Sequence, residues 1–273
     1  MNKSGRFVDL ALARRIESTD AWVGLESVRI HQQLHPESGA TSLPVPGGFA
    51  LFTGVASPLT QVLGLGMQGP VRETEIEDME EFFHARGADV SVELCPFTDR
   101  SVLPLLGLRG YVMAGFNNML VRRLAPPVPT PIPGQFTVLP CTPSEGELWA
   151  RTILEGFPGA IANTEDNTSA LLSLFHQPGS ICLLARVDDT PAGGGALSVH
   201  EGVAAMYGAS TIPAFRRRGV QTALIRALVV EAIDAACDVV YTLTDPGSTS
   251  HRNLERQDFR LAYTRVTVRK SFS

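Results

Sequence analysis

Three arginines and a glycine, Arg216, Arg217, Arg218 and Gly219, stand between a β-prone run (Val203 to Ile212) and an apolar stretch with helical character (Thr222 to Ala236). The order strand, basic turn, helix is one that can hold a polyanion. The first N–H groups of a helix lack intrahelical partners and sit at the positive end of its dipole, so a phosphate placed there gains hydrogen bonds and charge stabilisation together. Gly219 permits close backbone approach, and the guanidinium groups add long-range attraction. The turn itself carries neither a Walker loop, GxxxxGK[ST], nor a GxGxxG dinucleotide fingerprint, since it holds a single glycine. An arginine run can also be no more than a solubilising turn, but such turns seldom separate a buried strand from an almost wholly apolar helix.

Arg216, Gly219 and Gln221 occupy the positions of an R/QxxGxG/A signature, with Gln221 where a small residue is usual. Downstream, the strand Val239 to Leu243 is followed by DPGSTSHRNLERQDF, Asp245 to Phe259, with a short helix expected from about Ser250 to Gln257. Through these two blocks, the stretch from about Gln135 to Ser273 resembles the GNAT superfamily of acyl-CoA-dependent N-acyltransferases. The resemblance implies that acetyl-CoA or coenzyme A is the cofactor. It further implies that Ala209, Ser210 and Thr211 line the pantetheine arm, and that the backbone of Arg217, Arg218, Gly219, Val220, Gln221 and Thr222 meets the pyrophosphate, with Arg216 in the signature. Ser248, Asn253 and Arg256 are further cofactor contacts on the same basis. As residues alone, Ser210 and Thr211 also fit ordinary strand positions, and Asn253 and Arg256, one turn apart, also fit an intrahelical polar pair.

Acyl transfer to an amine needs a neutral nucleophile, oxyanion stabilisation and a proton for the departing thiolate. The resemblance places the usual tyrosine acid five residues before the phenylalanine that ends the block. That position is Leu254, which has no proton to give, and the usual asparagine seven residues earlier is Gly247, beside Ser248. The candidates for the missing acid or base are Ser248, Tyr263, Tyr241, Asp245, Tyr207 and His251. The function implied is transfer of an acetyl group from acetyl-CoA to a primary amine of a small molecule or peptide. The alternative is a non-catalytic acyl-CoA-binding or regulatory protein, which Leu254 supports, and a third reading is transfer of a longer acyl chain.

The elements that must position these residues lie in a chain of 273 residues with 44% hydrophobic and 19% charged residues and a net charge of −5. This is ordinary globular composition, with length for two domains. Neither half is basic, which disfavours nucleic acid as a partner. No apolar stretch approaches bilayer-spanning length, and MNKSGRFVDL lacks the apolar segment of a signal peptide, so no membrane partner and a cytoplasmic location are expected. Cys95, Cys141, Cys182 and Cys237 form no CxxC pair and are expected as buried thiols. His31 and His35 stand at i and i+4 without a third ligand, so no metal is expected. His176 and His200 adjoin turns and are expected in solvent.

Helical spacing predicts two opening helices, Arg6 to Glu17 and Ala21 to Leu34, then strands Gly48 to Thr53 and Thr60 to Leu65. Ile76, Met79, Phe82 and Phe83 give the acidic stretch Glu73 to Arg86 an amphipathic helical pattern whose wet side could also steer a cationic amine. ADVSVEL (Ala88 to Leu94) resembles CDVVYTL (Cys237 to Leu243), and GYVMAGFNNMLVRR (Gly110 to Arg123) tracks DFRLAYTRVTVRKS (Asp258 to Ser271), which indicates two copies of one strand-helix-strand unit. At the repeat's spacing the arginine turn falls on Met67, Gln68, Gly69 and Pro70, which lack arginine, so the first copy is not expected to bind coenzyme A. APPVPTPIPG, Ala125 to Gly134, forms a stiff boundary between the copies.

The second copy opens with a short strand from Gln135. Thr142 to Glu145 then sets a capping box, Asn163 and Asp166 open a further helix, and strands Ile181 to Val187 and Gly195 to His200 precede the turn. The expected fold is α/β (α+β), tandem GNAT-like domains each with a mixed, mostly antiparallel sheet flanked by helices. Residues 1–125 would form a degenerate copy lacking the pyrophosphate loop, 126–134 a linker and 135–273 the acetyltransferase domain.

Overall fold

The computed structural model describes residues 8–125, 136–157 and 165–272. Arg6, the proline-rich 126–134, Gln135 and the expected cap Asn163 lie outside the described residues. Along the chain the elements are α1 (Leu10–Leu34), β1 (Thr41–Val45), β2 (Gly48–Phe52), β3 (Gln61–Leu63), α2 (Glu73–His84), β4 (Val90–Leu94), α3 (Val102–Leu108), β5 (Val112–Arg123) and β6 (Thr137–Pro140). They continue with α4 (Gly146–Gly156), α5 (Glu165–His176), β7 (Ser180–Val187), β8 (Thr190–His200), β9 (Val203–Thr211), α6 (Val220–Asp234), β10 (Val239–Thr244), α7 (Thr249–Glu255) and β11 (Arg260–Lys270). The similar segments of the sequence repeat fall on β4 and β10 and on β5 and β11.

Two compact units emerge, and they do not follow a single cut near residue 130. The first joins the chain up to Leu120 with Leu243–Ser248 and Leu261–Ser273, and the second is Val121–Thr242 with Thr249–Arg260. The last strand sits in the first unit because its polar side chains find partners there.

In the first unit the sheet order is β1-β2-β3-β4-β11-β5. It is antiparallel at β1–β2, β2–β3 and β4–β11 and parallel at β3–β4, where Val62 lies beside Val92. Ile76, Met79 and Phe83 of α2 pack on one face with Val90, Val92 and Leu106, while Ala21 and Val28 of α1 pack with Leu51 and Leu63. The two opening helices expected from sequence are one helix of 25 residues, capped where the Asp9 carboxylate accepts from Leu12 N–H at 2.9 Å. Its Ser18-Thr19-Asp20 stretch imitates a break and a new N-cap. Instead Glu17, Thr19 and Asp20 are buried.

These acids answer Arg265 of β11, itself 1% exposed: Nη1 lies 2.6 Å from Asp20 Oδ2 and Nη2 lies 2.9 Å from Glu17 Oε2. A second tie joins Lys270 Nζ to Glu80 Oε2 at 2.9 Å, and Arg109 Nη2 donates to the same oxygen at 2.9 Å. Against the opposing pull of burial, Arg109, whose Nε also donates to Glu80 Oε1 at 3.1 Å, and Lys270 hold the Glu80 carboxyl below the usual glutamate range.

In the second unit the order is β10-β9-β8-β7-β6, antiparallel at β6–β7, β7–β8 and β8–β9 and parallel at β9–β10. Both units therefore place one parallel pair after an antiparallel meander, with a crossover helix (α2 or α6) between the parallel strands, as the right-handed β-α-β connection requires. The capping box expected at Thr142 to Glu145 is formed, with Glu145 Oε2 accepting from Thr142 N–H at 2.7 Å, and it leads through one 3₁₀ turn into α4. Three consecutive glycines on β8 let helices approach both faces. A Cβ on Gly195 would stand 2.9 Å from Leu228 of α6, and one on Gly194 would stand 3.0 Å from Ile153 of α4. Trp149 of α4 is fully buried and donates its indole N–H to Gly195 O at 3.2 Å.

Candidate functional site

The site is made by a departure of β9 from β10. The parallel pairing runs Val203↔Val239, Ala204↔Val240 and Ala205↔Tyr241, while β9 itself continues to Thr211. On its other side β9 keeps Tyr207 opposite Ala196 and Ser210 opposite Gly194, so Gly208 and Ala209 together face Gly195 alone. That is a bulge, and Gly208 occupies it at φ 67°, a conformation other residues adopt at a cost. A bulge bends its strand. The backbone from Met206 to Thr211 consequently forms one wall of a wedge whose apex is the Ala205–Tyr241 rung.

Beyond Thr211 the chain makes one 3₁₀ turn (Pro213–Phe215) and reaches the arginines. Arg217 holds φ 64° and Gly219, the N-cap of α6, φ 88°. A long side chain in the left-handed region is uncommon and costs free energy, so the bend is over-determined by its surroundings. Arg216 supplies part of that determination: its Nε donates to Thr211 O at 3.3 Å and its Nη2 to Gly156 O, at the C-terminus of α4, at 3.1 Å. Arg217 and Arg218 are exposed, the latter with its guanidinium carbon 5.5 Å from the Phe215 ring centroid. Ala223 N–H closes the first helical turn on Gly219 O at 3.0 Å, so the N–H groups of Val220, Gln221 and Thr222 point out of the helix end. No acidic residue lies in that first turn.

The residues expected around the wedge take distinct places. Ser210 is buried and donates to Ile153 O at 3.2 Å, whereas the Thr211 hydroxyl is buried without a hydrogen-bond partner. Gln221 Nε2 donates to Ala209 O at 3.1 Å and its Oε1 accepts from Asn253 Nδ2 at 2.6 Å, so the side chain at the degenerate signature position ties β9 to α7. Arg256 Nη1 donates to Asn253 Oδ1 at 3.1 Å, the intrahelical pair weighed above.

Of the candidate acids, Tyr263 belongs to the first unit, where its hydroxyl donates to Glu17 Oε1 at 2.6 Å. Burial and the Glu17 charge raise its pKa well above the usual tyrosine range, which removes it from proton exchange. Asp245 is exposed and Ser248 half-buried, and both group with the first unit rather than with the turn. His251 stands 3.5 Å from Glu255 on α7. Leu254 is 2% exposed and fills core. Tyr241, fully buried, and Tyr207, half-buried, bring their hydroxyl oxygens within 3.2 Å at the wedge's apex. Burial pushes the thiols of Cys95, Cys141 and Cys182 up to about 12, so none is a ready nucleophile. Among the described residues no group of three or more His, Cys, Asp or Glu could hold a metal ion, and no helix is long and apolar enough to cross a membrane.

The bulge at Gly208 and the tyrosine pair were not read from the sequence. A glycine inside a strand pattern is a bulge signal and could have found the first; the second depends on strand register.

The corresponding wedge of the first unit, between β3 and β4, is closed by the chain itself. Thr98 Oγ1 donates to Leu65 O at 2.5 Å and Asp99 N–H to Gly66 O at 3.0 Å. The first turn of α2 carries Glu73 and Glu75, opposite in sign to what a phosphate needs.

The profile of the acetyltransferase (GNAT) family matches residues 149–259, which span α4, the bulged β9, the arginine turn and α7. This segment is a GNAT domain. Solved structures carry the likeness over both units. A GCN5-related N-acetyltransferase from Kribbella flavida superposes with a TM-score of 0.63 at 16% identity, covering 90% of this chain and 96% of that one. A tandem GNAT protein from the clavulanic acid biosynthesis pathway gives 0.58 at 13% identity, with 93% and 94% covered. At these identities the likeness is one of fold. No curated protein matches the sequence.

Proposed function

We propose that the chain is an acetyl-CoA-dependent N-acetyltransferase whose second unit alone holds the coenzyme, acting on a primary amine of a small molecule or peptide. The observation that carries this is the basic bend at the start of α6, at the far end of a strand that has parted from its neighbour. The residues present fit the coenzyme. Outward N–H groups of Val220, Gln221 and Thr222, together with Arg217 and Arg218, suit a pyrophosphate. The buried, unpartnered Thr211 hydroxyl and the β9 backbone past its last shared rung suit an amide-bearing arm.

Acetyl-CoA, when bound, would supply an activated thioester from whose carbonyl an amine can displace the thiolate. The chain orients it. Gln221 and Arg216 hold the β9 wall and the bend in place, so that a backbone N–H of that wall is fixed before an oxyanion develops. The first unit, whose wedge is filled by Thr98 and Asp99, serves as scaffold. A cytoplasmic setting belongs to the same reading and accords with four cysteines held outside any disulfide.

Calorimetric titration with coenzyme A tests the proposal. The double variant Arg217→Glu, Arg218→Glu should fold normally and lose about 100-fold or more in affinity, since each charge-assisted contact to phosphate is worth roughly 1.5–3 kcal/mol. Unchanged affinity contradicts it. The buried Leu254 favours a second reading, a coenzyme-binding protein without transfer. Thiol release from acetyl-CoA across a panel of amines separates the two: binding with no release across the panel supports the second.

A further inference from the structure

We infer that the hydroxyl pair of Tyr207 and Tyr241 moves the proton of the transfer reaction, in the role that Leu254 leaves vacant. This rests on the function proposed above. Tyr241 lies on the last shared rung of β9 and β10, beside Ala205, and Tyr207 is the next β9 residue on that same face, already on the wedge wall. Their oxygens are 3.2 Å apart, one ring fully buried and the other half-buried, so the pair reaches from the interior to the opening.

The polarity of the site brings the reacting end of the coenzyme to this pair. Phosphates held at the α6 N-terminus lie past Thr211. An arm following β9 back to Tyr207 covers about four strand residues, roughly 13 Å. An arm bound in that direction would carry its far end, which in coenzyme A is the sulfur, toward the two hydroxyls.

In the transfer a C–N bond forms to the neutral amine as the C–S bond breaks. Tyr207 gives its Oη proton to the leaving sulfur, the Tyr241 hydroxyl donates to the resulting phenolate, and the proton shed by the attacking nitrogen returns to Tyr207. The pair ends as it began, and nothing else is consumed. An ordinary phenol and an alkyl thiol differ by only about 1.5 pKa units, so the exchange is accessible.

The test is titration of phenolate absorbance in the full chain, free and saturated with coenzyme A, for the wild type, Tyr207→Phe and Tyr241→Phe. Calorimetry runs alongside, with thiol release from acetyl-CoA measured using hydroxylamine as the acceptor probe. Burial pushes Tyr111 and Tyr263 up and away from the range read. The expected result is a tyrosine step shifted by coenzyme A in the wild type and unshifted in Tyr207→Phe. That variant should keep coenzyme affinity within about threefold and lose about 100-fold in kcat. A wild type that binds coenzyme A with no shift, a shift that survives Tyr207→Phe, or a kcat unchanged in that variant overturns the pair and leaves the proposed function standing. Binding without any thiol release overturns the pair in favour of a binding protein, and absence of coenzyme binding removes both readings.

Discussion

Adjacent arginines of one turn perform different tasks. Arg216 is spent on Thr211 O and Gly156 O and shapes the bend, while Arg217 and Arg218 face solvent, where a phosphate can reach them. Gln221 is likewise internal, bridging Ala209 O to Asn253. Leu254 is the residue at which the expected chemistry is missing, and its burial turns the position into packing. Leu254→Ala should accordingly lower unfolding free energy by about 2–5 kcal/mol, the usual cost of a large-to-small core change, while leaving coenzyme affinity intact. Urea unfolding and calorimetry check the two halves of that statement. The basic turn was legible in the sequence because its chemistry is local: glycine, charge and flanking hydrophobic periodicity all lie within a few residues. The tyrosine pair was not, because the 3.2 Å contact joins residues of two strands whose register no short segment reveals.

At the scale of elements, the strand that ends the chain is the main departure from a linear reading. The similarity of two segments, which fall on β5 and β11, set these strands side by side as a repeat, yet composition could not say which unit β11 completes. Arg265 settles that in the fold, reaching Glu17 and Asp20 across a sequence separation of 245 residues or more. The same ion pairs explain why α1 is continuous where Ser18-Thr19-Asp20 suggested a break, and why no short-range pattern could have shown it. Arg265→Ala removes the buried guanidinium that Glu17 and Asp20 share and should destabilise the first unit by roughly 3–5 kcal/mol, seen as an early unfolding transition or loss of soluble protein. Arg265→Met, which fills the volume but not the charge, should not restore it while Glu17 and Asp20 remain. β1 was absent from the sequence reading, as it carries Pro44, and α3 was implied only as the unplaced helix of the repeated unit, since it spans only seven residues.

For the whole molecule, two copies of one topology have diverged at the same place. In one, the parallel strands share three rungs and arginines precede the following helix; in the other, Thr98 and Asp99 bond to Leu65 and Gly66 beyond the parallel pair, and the helix starts with Glu73 and Glu75. A coenzyme site confined to the second unit, as proposed, predicts a stoichiometry. Isothermal titration of the full chain with coenzyme A should show one site per chain, abolished when Arg217 and Arg218 are both changed to glutamate. Two sites per chain, or one that persists through the double reversal, would contradict the account.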